Sequence, residues 1–293
     1  MRGCPPRRRL EVRGLPYSVR AAGLGPASGG TVLFLHGFAG GADDWTWITE
    51  WVRENGFASV AVDLPGHGHT DSPADPARYT PESVIRDLTR ILDALGVGSA
   101  HVMGYSMGAR LALRMALDAP ERVRSLILES GTTGIPDAEA RRERRENDET
   151  LARDIEERGI EWFVAHWEAL PIFETQRALP AEARDAQRAR RLLQRPVGLA
   201  RALRALGQGA EPDLTPRLPE VGVPTLVLAG ELDPAYRAYA ERIAAGIPES
   251  KQVVVQRAGH NIHLEQPEAL GTVLTLTLNE LRRQGSAATS THD

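Results

Sequence analysis

Three residues of this chain have the types and the order to do chemistry together. They are the serine of Gly104-Tyr105-Ser106-Met107-Gly108, the aspartate of Gly230-Glu231-Leu232-Asp233 and the histidine of Ala258-Gly259-His260. A serine hydroxyl at neutral pH is a poor nucleophile and a poor base. It needs an imidazole to take its proton and a third group to orient that imidazole. Ser106 with His260 as its base and Asp233 as the orienting acid is the expected catalytic set. Glu129 and Glu231 also follow apolar runs and stand as alternative acids. His36-Gly37-Phe38 ends the first apolar run, where one donor to a developing oxyanion belongs, so the backbone N–H groups of Phe38 and Met107 are the expected oxyanion hole. His67 and His69 share a loop without a second cluster at metal-ligand spacing, so no metal is expected, and no cofactor either.

Such a set works only if separate elements deliver it to one place. The run Thr31-Val32-Leu33-Phe34-Leu35 and the segments 59–62, 100–103, 123–129, 225–229 and 252–256 are short and apolar, as strands buried on both faces of a parallel sheet are. Between them, 44–54 has helical spacing, Thr80-Pro81-Glu82-Ser83 reads as the N-cap of a helix running to Leu95, 110–117 continues the serine turn as a helix, and 235–245 is helical. Alternating strands and helices predict a doubly wound α/β sheet. Segment 10–19, ended by the Gly/Pro/Ser-rich stretch 23–30, predicts an edge hairpin. From 137 to about 209 no buried strand is visible, charge is dense, and helical stretches at 138–158, 160–168 and 181–193 predict a helical cap inserted after the sixth strand. The expected division is a core of 10–136 and 211–284, a cap of 137–210, and disordered ends at 1–9 and 285–293.

The bulk numbers exclude several classes of function. With 293 residues, 42% hydrophobic and 25% charged, the chain has material for a sizeable core. A net charge of -4 and a pI near 6.1 give nucleic acid and anionic membrane no foothold. The one cysteine, Cys4, fits a reducing compartment, and the cytoplasm is the expected location. Met1 to Leu10 leads into no apolar stretch of signal-peptide length and no segment is long enough to span a bilayer, so a protein neither secreted nor inserted is expected.

The motifs together resemble one family. Phe34-Leu35-His36-Gly37-Phe38, Asp63-Leu64-Pro65-Gly66-His67-Gly68, Gly104-Tyr105-Ser106-Met107-Gly108-Ala109-Arg110 and Ala258-Gly259-His260-Asn261 resemble the motifs of the 2-succinyl-6-hydroxy-2,4-cyclohexadiene-1-carboxylate synthases of menaquinone biosynthesis, members of the α/β-hydrolase superfamily. Segments 141–148 and 163–173, with Trp167 and Pro171, and Gly198-Leu199-Ala200 are similar to that family's lid. The resemblance covers about 32–267. It implies an α/β-hydrolase fold and a lyase that removes a ring proton and expels pyruvate from a tricarboxylate, with no acyl-enzyme required. It also implies arginines for the substrate carboxylates: Arg110, Arg144 and, third, Arg191, with Arg188 or Arg190 as alternatives, while Tyr105 and Trp167 match pocket residues of the family. Read without the resemblance, Arg144 lies in a charged run whose Arg142 and Glu146 have ion-pair spacing, and Trp167 is a packing aromatic. A small-molecule substrate and a monomer or weak homo-oligomer are expected. A serine esterase or C–C bond hydrolase on the same fold, and a non-catalytic ligand receptor, are the rival readings.

Overall fold

In the computed structural model the described residues are 5–25 and 29–290, with side chains to 283. Eight strands form one sheet in the order β1-β2-β4-β3-β5-β6-β7-β8: β1 Arg7–Val12, β2 Leu15–Ala22, β3 Thr31–Leu35, β4 Ala58–Val62, β5 Ala100–Tyr105, β6 Val123–Glu129, β7 Thr225–Gly230 and β8 Ser250–Val255. β1 and β2 form an antiparallel hairpin, β2 runs antiparallel to β4, and every other pairing is parallel. The runs that read as buried strands are the parallel ones, because helices cover both faces.

The helices sort by face. α1 (Thr46–Glu54) and the closing α9 (Pro267–Ser290) pack Ile48, Val52, Leu270 and Leu274, with Trp45 just ahead of α1, on Phe34, Ala61 and Met103. α2 (Pro81–Ala94), α3 (Met107–Asp118) and α7 (Pro234–Gly246) bury Leu88, Leu111 and Ile243 against Leu33, Leu35 and Val102 on the other face. Phe34 and Leu33, adjacent in β3, belong to opposite layers, as the period of two requires. Thr80 caps α2 by accepting from the Ser83 N–H, with Pro81 in the first turn.

Between β6 and β7 the described residues contain no strand. α4 (Ala138–Glu168), α5 (Ala181–Leu192) and α6 (Pro196–Leu206), with a 3-10 segment Pro171–Ala178, lie over the sheet's C-terminal edge. The sequence carries only a short motif, Gly198-Leu199-Ala200, where α6 forms. These helices share their own small core of Ala152, Ile155, Phe163, Leu199 and Leu203, which reaches Ala39 below. α4 breaks its helical geometry at Gly159, with φ 82 and ψ -179, so the stretches read at 138–158 and 160–168 are two helical arms that meet at that residue.

The ends differ from the sequence expectation. Arg7, Arg8 and Arg9 are paired in β1, and the Arg7 guanidinium reaches Asp63 at 2.6 Å and Asp43 at 2.8 Å, which orders a stretch too polar to announce itself as a strand. At the other end α9 stays helical through Ser290. Residues 1–4 and 291–293, the remainder of the stretches expected to be disordered, lie outside the described residues, as does Cys4. No helix among the described residues is long and apolar enough to cross a membrane.

Candidate active site

Parallel pairing brings the carboxyl ends of β3, β5, β6, β7 and β8 to one edge of the sheet, where a doubly wound fold gathers its ligand site. Ser106 stands on the turn between β5 and α3 with φ 50 and ψ -107, a left-handed conformation held by the flanking glycines. A Cβ on Gly104 would strike the Gly108 carbonyl, and one on Gly108 would strike the carbonyls of Leu35 and His36. The elbow is therefore sterically possible only with glycine on both sides, and the Ser106 N–H fixes it by donating to the Glu129 carbonyl at 2.9 Å.

The Ser106 hydroxyl donates toward His260 Nε2 at 3.3 Å, and His260 Nδ1–H donates to Asp233 Oδ2 at 2.8 Å. Asp233 also caps α7, its Oδ1 accepting the Tyr236 N–H at 3.2 Å, so one carboxylate orients the imidazole and starts the helix. The alternative acids are engaged elsewhere. Glu231 accepts from the Arg257 N–H at 2.8 Å, and Glu129 holds both the N–H and Nδ1–H of His263, at 3.0 and 2.8 Å. The histidine loop has its own brace: Glu265 accepts from the Gly259 and Asn261 N–H groups, on either side of His260, at 2.7 and 3.2 Å.

The oxyanion side is built with similar care. The Leu64 N–H donates to His36 Nε2 at 3.0 Å, which leaves Nδ1–H to donate to the Gly37 carbonyl at 2.8 Å. Burial holds the imidazoles of His36 and His67 below their ordinary pKa, and both stay neutral. His67 packs against the rings of His36 and Phe38. The Phe38 and Met107 N–H groups find no acceptor among the described residues and flank Ser106 on the wall of a cavity of about 530 Å³.

Tyr105, Arg110, Arg144 and Trp167 line the same cavity with Ser106 and His260. Arg110 is buried, its NH1 on Glu211 Oε2 at 3.0 Å and its NH2 on the Leu206 carbonyl at 2.6 Å. Arg144 pairs with Asp148 at 2.8 Å through Nε and with Gln208 Oε1 at 2.8 Å through NH1. Trp167 stands beside Phe38, Phe163 and Phe173 in an aromatic wall. Burial first, and the nearby Glu129 carboxylate second, raise the Tyr105 hydroxyl well above its ordinary pKa, so it is a neutral donor.

Arg191 lies next to the main cavity rather than on its wall. Its guanidinium lies 5.4 Å over the Phe173 ring, bonds Glu168 at 3.2 Å, and lines a smaller pocket that adjoins the cavity and shares Phe38, Tyr105 and Trp167 with it. Arg188 also pairs with Glu168, and Arg190 with Asp44 at 2.9 Å. Conversely, Gln208, Tyr236 and His166 line the cavity without having been singled out. The Tyr236 ring packs 4.2 Å from His260, and its hydroxyl meets the Gln208 amide at 3.2 Å. An aromatic one turn after the triad acid was the available signal for Tyr236; nothing local marks Gln208.

A family model described as alpha/beta hydrolase fold matches residues 30–267. The chain is 37% identical, over 92% of its length and 96% of the relative's, to a putative 2-succinyl-6-hydroxy-2,4-cyclohexadiene-1-carboxylate synthase of Bacillus subtilis. It is 32% identical to the Klebsiella pneumoniae synthase of the same name, over 82% of this chain and 90% of that one. Among solved structures it resembles MenH from S. aureus, with TM-score 0.86 and 36% identity over 91% of this chain and 98% of that one. It also resembles an esterase from Thermogutta terrifontis, with TM-score 0.82 and 28% identity over 94% and 99%.

Proposed function

The chain belongs to the α/β-hydrolase fold family and, within it, to the 2-succinyl-6-hydroxy-2,4-cyclohexadiene-1-carboxylate synthases, and from that premise we propose how it eliminates pyruvate from 2-succinyl-5-enolpyruvyl-6-hydroxy-3-cyclohexene-1-carboxylate in menaquinone biosynthesis. The ring C2–H of that substrate is acidified by the succinyl ketone and by the adjacent 3,4 double bond. His260, oriented by Asp233, takes the Ser106 proton, and the Ser106 oxygen takes the proton from C2. The electron pair moves through C3 and C4 and breaks the C5–O bond, which yields the 2,4-diene and the enol of pyruvate. Charge that builds on the ketone oxygen meets the Phe38 and Met107 N–H groups.

The observation that supports this reading is the meeting, in one cavity, of Ser106 and His260 with two arginines fixed in place, Arg110 and Arg144. An enzyme for uncharged esters has no use for two guanidinium groups in the cavity of its serine. Tyr105 and Trp167 complete the pocket for the ring and the succinyl arm. Arg191, paired with Glu168 and lining the pocket that Phe38 and Tyr105 share, is the third arginine for a substrate carboxylate. A cytoplasmic location, consistent with a single cysteine, and action without a cofactor go with the proposal.

Pyruvate release from the substrate tests it, with Ser106→Ala and Arg144→Ala beside the unaltered protein. Ser106→Ala should lower kcat roughly a thousandfold or more. Arg144→Ala should raise KM about tenfold or more, as loss of a charged contact does. Cleavage of p-nitrophenyl esters without pyruvate release, or full release by Ser106→Ala, overturns the reading.

A further inference from the structure

The elimination leaves one group at the site without a role. Glu211 follows the cap and lies behind the cavity wall, where it forms an ion pair with Arg110 whose two side chains are 6% and 5% exposed. The Arg110 guanidinium already has a neutral acceptor, the Leu206 carbonyl at the end of α6, at 2.6 Å. Orientation alone therefore does not call for a carboxylate, whereas a guanidinium buried to this depth needs a counter-charge when no substrate supplies one. What Glu211 adds is its charge. Arg144 has a similar counter-ion in Asp148, and Asp154 is on the cavity wall as well. A pocket for a tricarboxylate thus carries at least as many acids as arginines.

In a poorly solvated site a fixed carboxylate on a guanidinium subtracts from the attraction that guanidinium has for a second carboxylate. The same pairing removes the side-chain entropy that binding would otherwise have to quench. We propose that Glu211 sets the affinity of the site: it holds Arg110 in position and, by countering its charge, limits how tightly substrate and dicarboxylate product are held. The inference rests on the reading of Arg110 as a substrate contact.

Glu211→Gln keeps an acceptor for Arg110 NH1 and removes the charge. KM for the substrate should fall about tenfold, and the inhibition constant of succinate, used as a dicarboxylate probe, should fall in parallel. Glu211→Met, which removes the charge without an amide, should move both in the same direction, and thermal denaturation of each variant establishes that it is folded. Unchanged or raised constants in a folded variant overturn the proposal, because a residue that only orients Arg110 gives no gain in affinity when neutralised. Arg110→Gln, measured alongside, separates the premise from the inference. A raised KM there with no gain in Glu211→Gln sinks the inference alone, whereas no change in Arg110→Gln removes the premise and the proposal with it.

Discussion

Asp233 shows how much one side chain carries here. Its two oxygens serve different masters, Oδ2 the His260 ring and Oδ1 the first turn of α7. Asparagine is as good an N-cap as aspartate, so Asp233→Asn should leave stability within about 1 kcal/mol while it removes the acceptor that fixes the imidazole tautomer. A fall in kcat of about two to four orders of magnitude without a matching loss of melting temperature is the expected result, read by pyruvate release and thermal denaturation together. A variant that loses stability and activity in proportion would instead make the cap the main role. At this scale the sequence was highly legible. Ser106, Asp233 and His260 follow separate apolar runs in the order the elbow fold uses, and no other reading of the fold gathers all three. Glu265, which braces the histidine loop through two backbone N–H groups, has no such signature, since any glutamate near a turn looks the same until the loop closes on it.

Among the elements, α4 has the most to do. Its first arm carries Arg144 and Asp148, its second carries His166 and Trp167, and all four line the cavity. The bend between the arms is Gly159, at a φ and ψ that essentially only glycine adopts. Gly159→Ala should cost about 1–3 kcal/mol and tilt the arms relative to one another. Because the triad sits on the core and the arginine on the cap, KM should rise more than kcat falls; steady-state kinetics with a urea titration checks both. A variant with normal KM and normal stability would show that the bend does not set the pocket. The two arms were legible as helices, but which of their arginines face substrate was not. Arg144 and Gln208 meet across 64 positions, and Arg191 of α5 bonds Glu168 of α4 across 23. Periodicity within one helix cannot report contacts of that range.

For the whole molecule, the layered sheet follows from the alternation of buried strands and helices, whereas the ends were misjudged because Arg7 joins β1 through ion pairs rather than apolar burial. Burial of imidazoles has a further consequence. Burial, with Arg124 nearby, lowers His101 to about 4 from an ordinary value of 6.5, and burial also lowers His36 and His67. The unfolded chain takes up these protons below about pH 6.5 while the folded chain refuses them. Stability should therefore be level in this respect above pH 6.5 and fall as pH drops from 6.5 toward 4, by roughly 3 kcal/mol for His101 alone. Urea midpoints at pH 7.5 and 5.0 measure the loss, and His101→Asn should make it shallower. Equal midpoints at the two values would show that these histidines ionise freely in the fold.

The central claim is that Ser106 acts as a base on carbon and not as a nucleophile on an acyl group. Single-turnover pyruvate release from substrate deuterated at C2, with the mass of the protein followed in the same reaction, tests it most directly. The account predicts slower release from the deuterated substrate and no adduct on Ser106 at any time. An acyl adduct on Ser106 that forms and decays with turnover, with no isotope effect on release, would contradict it.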